Sequence, residues 1–157
     1  KGLEYLIEAY KSLNLKIPLV IAGDADYVTD FQKKIQDMID GDNRIVTTGF
    51  VNGDLLSELY SNTRLFVFPS EAEGMPMCVL EALSYNCHCL VSDIEENKEI
   101  GKSFVKYFKS CDVEDLKLRL IDALESNYDE SRKYVIDNYN WRIVVNKTLK
   151  LYKGEKV

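Results

Sequence analysis

Residues Leu65–Asp93 constrain the fold of this chain more than any other stretch. An apolar segment, Leu65–Pro69, runs into a loop of acidic residues, glycine and proline. A short helical pattern follows, and a second apolar segment, Cys89–Ser92, ends in Ser-Asp. Two apolar segments joined by a helix form a βαβ unit, with parallel strands and a right-handed connection. Such a unit belongs to an α/β sheet whose faces are covered by helices.

The same alternation of strand and helix patterns extends through the chain. The other predicted strands are Leu19–Gly23, Ile45–Gly49 and Phe104–Phe108, with a turn at Asp24–Asp26 after the first of them. Apolar spacing predicts helices at Leu3–Leu13, around Phe31–Ile39, at Leu55–Tyr60, around Glu81, at Val113–Glu125, near Glu130–Asn138 and at Trp141–Tyr152. Asn86 is placed to end the helix that carries Glu81, since asparagine tolerates the left-handed conformation. We therefore predict one α/β domain with a Rossmann-like parallel sheet of about five strands and helices on both faces.

Composition excludes several classes of protein. The 157 residues carry a formal net charge of −6, which argues against nucleic acid as the main partner. No apolar run approaches the ~20 residues that span a bilayer. The four cysteines form no C-x-x-C pair, so reduced thiols are favoured over a zinc site. Asp24 and Asp26 form a D-x-D sequence, but we expect no metal there.

Two glutamates stand eight residues apart in the central stretch. Glu73 lies in the loop, and Glu81 lies inside the helix that follows. The carboxyl end of a parallel strand beside a helix N-terminus is where ligands usually bind in open α/β sheets, and the helix end favours phosphate. Glu81 is then placed to accept hydrogen bonds from sugar hydroxyls. This pattern favours a nucleotide-sugar site over a hydrolytic one, although a solvated helix glutamate and a solvated loop glutamate remain alternatives.

Several phrases of the sequence occur in the order of a known family. They are Lys1-Gly2, Ile21-Ala22-Gly23, Gly49-Phe50-Val51, Leu59-Tyr60, Pro69-Ser70, Glu73-Gly74-Met75-Pro76, Leu80-Glu81-Ala82, Val91-Ser92-Asp93, Glu99-Ile100 and the closing Trp141 and Tyr152. The chain resembles the C-terminal half of the family-4 retaining glycosyltransferases, whose two-domain architecture is called GT-B. The resemblance covers nearly the whole chain. It implies that residues 1–157 are the C-terminal, nucleotide-sugar-binding domain, without the N-terminal acceptor domain and the first strand.

The resemblance also implies roles for individual residues. Glu73 would act beside the transferred sugar as the catalytic carboxylate, and Glu81 would accept hydrogen bonds from the ribose hydroxyls. The donor-binding residues it implies are Lys1, Val51, Gly74, Met75, Pro76, Met77, Cys78 and Glu81. Among these, Lys1 and the N–H groups of Met77 and Cys78 would meet the diphosphate, and the backbone of Val51 would meet the base.

The implied function is the transfer of a hexose or N-acetylhexosamine from a UDP- or GDP-linked donor, without a cofactor or metal. The expected partners are the donor, the missing N-terminal domain, and an acceptor glycan or lipid-linked glycan in cell-surface polysaccharide or glycolipid synthesis. The expected location is the cytoplasm, with peripheral attachment to the inner face of the plasma membrane as an alternative. We expect no transfer from residues 1–157 alone. A non-catalytic partner that stabilises a true transferase is the competing hypothesis.

Overall fold

The computed structural model describes residues 1–23 and 30–156. The strands in these ranges are β1 (Leu19–Ala22), β2 (Ile45–Gly49), β3 (Phe66–Phe68), β4 (Cys89–Ser92) and β5 (Lys106–Phe108). The helices are α1 (Leu3–Ser12), α2 (Asp30–Ile39), α3 (Gly53–Asn62), α4 (Met77–Ser84), α5 (Glu95–Gly101), α6 (Val113–Glu125), α7 (Arg132–Asn138) and α8 (Trp141–Tyr152). Helices and strands alternate up to β5, and three helices follow. This order confirms the predicted α/β class.

All strand pairs in the described ranges are parallel. β3, β4 and β5 form one hydrogen-bonded group in that order, and β1 pairs with β2 in a second group. The predicted class of fold, with parallel strands flanked by helices, is therefore confirmed. The strands differ from the predicted single sheet of about five, since within the described residues no hydrogen-bonded pair joins β1 or β2 to β3, β4 or β5.

β4 is the central strand of its group, and all four of its residues are buried. Leu90 points to one face, where it packs in a cluster with side chains of α1, α6 and β5. Cys89 and Val91 point to the opposite face, where they pack with side chains of α4 and α5. Alternate residues of a strand point to opposite faces, so burial of both sets requires helices on each side. The predicted helical layers are present.

Helix α1 packs against both strand groups. Leu6 and Ala9 belong to the cluster that contains Leu90. Ile7 and Tyr10 belong instead to a cluster formed with α2 and β2. Residues three apart share a helix face, so α1 presents two adjacent apolar stripes, one to each group. This helix therefore joins the two groups on one side of the domain.

Two local features differ from the prediction, and one predicted feature lies outside the described residues. Helix α5 is absent from the prediction because its N-cap, Ile94, is not a capping residue and its buried Asn97 interrupts the apolar pattern. The last strand is shorter than predicted because the Phe104 N–H donates to the Gly101 carbonyl in a turn. The predicted turn at Asp24–Asp26 lies outside the described residues.

The C-terminal helices begin and end close to the predicted residues. Helices α6 and α8 have the predicted bounds, and α6 is capped by the Asp112 carboxylate, which accepts from the Asp115 N–H. No residue of α8 is buried, and its first residue, Trp141, is 82% exposed. Within the described part of the chain, every helix is too short or too polar to cross a membrane.

Asn86 ends the α4 segment and holds the start of α7. Its φ of 57° is in the left-handed region that the sequence predicts for this position. Its Oδ1 atom accepts hydrogen bonds from the Ser131 N–H at 2.9 Å and the Arg132 N–H at 2.7 Å. The side chain therefore links two helices that are far apart in the sequence.

We predict that Asn86→Ala lowers the free energy of unfolding by about 2 kcal/mol or more, because it adds left-handed strain and leaves two N–H groups without their acceptor. Asn86→Asp keeps an acceptor at the N-terminus of α7 and should cost less than about 1 kcal/mol. Urea unfolding followed by circular dichroism checks both values. Equal losses in the two variants would show that the acceptor oxygen has no role.

Candidate functional site

The loop between β3 and α4 forms the centre of the candidate site. Pro76 is the N-cap of α4 and is fully buried. A proline at a helix start has no N–H to leave unpaired, and its φ suits the first turn. The Met77 N–H donates to the Met75 carbonyl at 2.9 Å, whereas the Cys78 N–H interacts with the thiol of its own side chain. Of the two N–H groups predicted to meet phosphate, that of Met77 is therefore engaged with the backbone of the loop, and that of Cys78 lies in the first turn of α4.

Glu73 is held in this loop by two donors. The Lys1 ammonium and the Ser70 hydroxyl each donate to Glu73 Oε1 at 2.5 Å. The Glu73 side chain is only 12% exposed. Burial acts to raise the pKa of Glu73, but the hydrogen bonds from Lys1 and Ser70 outweigh it and hold the pKa below its usual value. The carboxylate is therefore ionised at neutral pH and oriented by its neighbours.

Gly2 brings Lys1 against the loop. A Cβ atom on Gly2 would lie 1.9 Å from the Pro69 carbonyl oxygen, and the φ of Gly2 is +71°. Both the close approach and the left-handed backbone require glycine. The Lys-Gly pair thus places an ammonium group beside Glu73, which gives a physical reason for this sequence phrase.

Glu81 is held by an aromatic pair. The Tyr60 hydroxyl donates to Glu81 Oε2 at 3.0 Å, and the Tyr60 ring stacks on Tyr85 with 5.4 Å between centroids. Burial and the hydrogen bond to Glu81 raise the pKa of Tyr60, so its hydroxyl remains a donor at all physiological pH values. The Tyr85 hydroxyl in turn donates to Ser57 on α3. Helix α3 therefore orients the carboxylate of α4.

Cys78 lies between the two carboxylates. Its side chain is half-buried, and burial raises the pKa of its thiol. The negative charges of Glu73 and Glu81 both raise this pKa further, while Lys1 acts to lower it. The charges of both carboxylates and of the ammonium group therefore all act on this one thiol. The structure brings together Lys1, Glu73, Cys78 and Glu81.

The other predicted site residues occupy the rim of this region. Gly74 is exposed, with open space where a Cβ atom would stand, and Met75 is 51% exposed. Val51 is half-buried in the connection between β2 and α3, and no described contact joins it to either carboxylate. In the described ranges, no group of three or more histidine, cysteine or acidic residues is arranged to hold a metal ion. Asp24 and Asp26 lie outside those ranges.

Sequence reasoning missed the residues that orient the carboxylates. Ser70, Tyr60 and Ser92 belong to phrases shared with the family but have no predicted role, and Asn97 belongs to none of these phrases. Each forms hydrogen bonds to a residue on another element or loop, which spacing along the chain does not reveal. Only the alternation of strand and helix patterns indicated that their elements meet at one edge of the sheet.

Fold and site together define a Rossmann-like α/β domain with a paired acidic site at the carboxyl end of its strands. The sequence matches the family Glycosyl transferases group 1 over residues 1–141, and the chain belongs to this family. The predicted resemblance to one half of a GT-B glycosyltransferase is thereby confirmed.

The chain is also similar in sequence or in structure to individual proteins. The chain is 32% identical to an uncharacterized glycosyltransferase of Methanocaldococcus jannaschii, over 98% of the chain and 42% of that protein. It is 30% identical to a sulfoquinovosyl transferase of Arabidopsis thaliana, over 93% of the chain and 30% of that protein. The crystal structure of HepE from Anabaena with UDP and glucose superposes with a TM-score of 0.88 at 15% identity, over 98% of this chain and 45% of HepE. The chain spans less than half the length of these relatives.

We predict that removing both carboxylates increases the rate of Cys78 alkylation by iodoacetamide at about pH 8, just below the usual thiol pKa. The Glu73→Gln/Glu81→Gln double variant removes two charges that raise the thiol pKa, so more thiolate forms. Mass spectrometry of the peptide that contains Cys78 measures the rate, with the exposed Cys111 as an internal reference.

Glu58→Gln is the matched control, since Glu58 is an exposed glutamate of α3 and is not among the charges that act on Cys78. An alkylation rate that is the same in the double variant and in the control would contradict the placement of both carboxylates around Cys78.

Proposed function

We propose that this chain is the donor-binding domain of a retaining glycosyltransferase that uses a nucleoside-diphosphate sugar. The observation that carries the proposal is the arrangement of two oriented carboxylates and one ammonium group around Cys78 at the start of α4. A nucleoside-diphosphate sugar presents hydroxyl groups and a diphosphate, which match carboxylate acceptors and cationic or N–H donors respectively.

Each group has a defined task in this proposal. Glu81 accepts hydrogen bonds from the ribose hydroxyls, with Tyr60 holding its second oxygen. The Cys78 N–H, the start of α4 and the Lys1 ammonium contact the diphosphate, where negative charge grows as the sugar departs. Glu73 contacts hydroxyls of the transferred sugar and stabilises positive charge near its anomeric carbon. The two carboxylates therefore divide the work between the nucleotide and the sugar.

The remaining residues shape the approach of the donor. Gly74, Met75 and Pro76 bring backbone close to the diphosphate and sugar, because an open glycine position leaves room there. Met77 contributes to the same helix start, and the backbone of Val51 contacts the base. The groups described are sufficient for leaving-group stabilisation by N–H groups and an ammonium, and we propose that the reaction uses no metal.

The proposed substrate class is supported by the relatives. The HepE structure is a complex with UDP and glucose, and the Arabidopsis relative is named for sulfoquinovosyl transfer. The HepE complex supports a nucleotide-linked sugar as the donor. We propose a UDP- or GDP-linked hexose or N-acetylhexosamine donor and an acceptor glycan or lipid-linked glycan. We propose that residues 1–157 act with an acceptor-binding domain, in the cytoplasm or at the inner face of the plasma membrane, and transfer no sugar alone.

We predict that Glu81→Ala in the full-length protein weakens nucleotide binding about tenfold or more, because it removes a charged acceptor for two hydroxyls. Isothermal titration calorimetry with UDP and with GDP measures the affinity. Glu58→Ala is the control, since it removes an exposed glutamate of a neighbouring helix and should leave the affinity unchanged. Equal affinities in the Glu81→Ala and parental proteins would reject the ribose-binding role, whereas the absence of saturable binding to the parental protein would favour the non-catalytic partner.

We predict that Glu73→Gln in the full-length protein lowers the rate of sugar transfer by about 100-fold but changes nucleotide affinity less than about threefold. The reason is that the lost charge acts mainly in the transition state. The rate of UDP or GDP release from a panel of nucleotide sugars, with calorimetry of the same protein, separates the two effects. A loss of the same size in rate and affinity would place Glu73 on the nucleotide instead.

A further inference from the structure

A directed series of hydrogen bonds runs from helix α5 to Glu73. The Asn97 amide Nδ2 donates to both the carbonyl oxygen and the Oγ of Ser92 at 2.9 Å. The Ser92 hydroxyl donates to the Ser70 carbonyl oxygen. The Ser70 hydroxyl donates to Glu73 at 2.5 Å. The Ser70 hydroxyl also lies 3.2 Å from the Ala72 carbonyl oxygen, and the shorter contact, to the carboxylate, defines the series.

The series lies in the interior of the domain. Asn97, Ser92 and Ser70 are each 0% exposed. Hydrogen bonds between buried polar groups are stronger than those in water, and the groups that make them have few other positions to adopt. The only partly exposed member is Glu73, at the end that faces the candidate site. The series therefore connects the core to the loop.

The Ser92 hydroxyl extends the contact between β3 and β4 past the end of their ladder. The last pair of the ladder is Phe68 and Val91, and Pro69 follows Phe68 in the chain. One residue further, the Ser70 carbonyl is bound by the Ser92 side chain instead of by a strand. The point where the loop leaves the sheet is thus fixed by a side chain of the neighbouring strand.

Asn97 fixes the direction in which the Ser92 hydroxyl donates. A hydroxyl has one proton, and the amide N–H of Asn97 occupies an acceptor site on Ser92 Oγ. The Ser92 proton is therefore directed to Ser70. The Asn97 Oδ1 atom is buried and has no partner among the described residues, and such an atom costs free energy. The amide is retained at this cost, which a role in orienting Ser92 explains.

We propose that Asn97 and Ser92 are positioning residues that set the place of the Ser70 hydroxyl and, through it, the Glu73 carboxylate. This inference rests on the proposed function only for the consequence in catalysis, since the orientation of Glu73 is a property of the domain itself. Neither residue touches the donor. They act through the two atoms of Ser70 that join the sheet to the carboxylate.

The test measures the ionisation of Glu73 directly. Carbon-13 NMR titration of the glutamate side-chain carboxyl groups of the 157-residue chain, with Glu73→Gln to assign the signal, gives its acid ionisation constant. Ser70→Ala removes one donor to the charged form and should lower this constant about tenfold. Asn97→Ala and Ser92→Cys should lower it about threefold, because the Ser70 hydroxyl is then less firmly placed.

The test includes one nearly isosteric variant and one matched control. Ser92→Cys is nearly isosteric and keeps a weak donor, so it should fold even where Asn97→Ala does not. Ser131→Ala is the matched control, because Ser131 is also a buried serine whose hydroxyl donates to a backbone carbonyl, that of Leu83 at 2.8 Å. The control should lose stability and leave the ionisation constant of Glu73 unchanged. An unchanged constant in Ser92→Cys, or an equal change in Ser131→Ala, overturns the proposal.

A kinetic measurement on the full-length protein separates this proposal from the proposed function. Nucleotide release from the nucleotide sugar that the parental protein consumes fastest should fall about tenfold in kcat for Ser92→Cys, with KM changed less than about twofold. If the ionisation constant moves while kcat does not, the positioning role stands and the catalytic role of Glu73 is rejected.

Discussion

The parallel pairing of β3 with β4, and its end at Pro69, is the constraint on which the site depends. A right-handed βαβ connection must leave β3 at its carboxyl end and return along a helix before β4 begins. The ladder ends at Phe68, and the chain then turns away as the loop that carries Glu73. Because α4 follows at once, Glu81 comes to the same edge. The position of both carboxylates therefore follows from strand pairing before any ligand is considered.

Electrostatics explains why this edge holds a stable arrangement in a chain of net charge −6. Two carboxylates near one thiol repel each other, and each has its own compensation. Glu73 receives hydrogen bonds from an ammonium group and a hydroxyl, and Glu81 receives one from a tyrosine. The donor that we propose would replace part of this compensation with its hydroxyl groups. A site built in this way holds its acceptors in place before binding, which lowers the cost of ordering them.

The sequence predicted the layers and most elements because their patterns are local. Helix α6 is recognised from its apolar period, and β4 from an unbroken apolar run. Helix α5 was missed because it has neither signal. The separation of the strands into two hydrogen-bonded groups was also not predicted, since the sequence of a strand does not show which distant strand it pairs with. For the site, the phrases shared with the family located Glu73 and Glu81. They include Tyr60 and Ser92 without giving either a role, and they do not include Asn97, because hydrogen bonds between residues on different elements leave no pattern in the sequence.

The central claim is that the two carboxylates lie at one edge of the sheet and that this edge receives a nucleoside diphosphate. The most direct test is an NMR titration of the 157-residue chain with UDP, followed through assigned backbone amide signals. We predict saturable shifts that are largest at Cys78 and Glu81 and extend to Glu73. Shifts confined to α6 or α8, or none at UDP concentrations up to about 10 mM, well above a millimolar Kd, would contradict it.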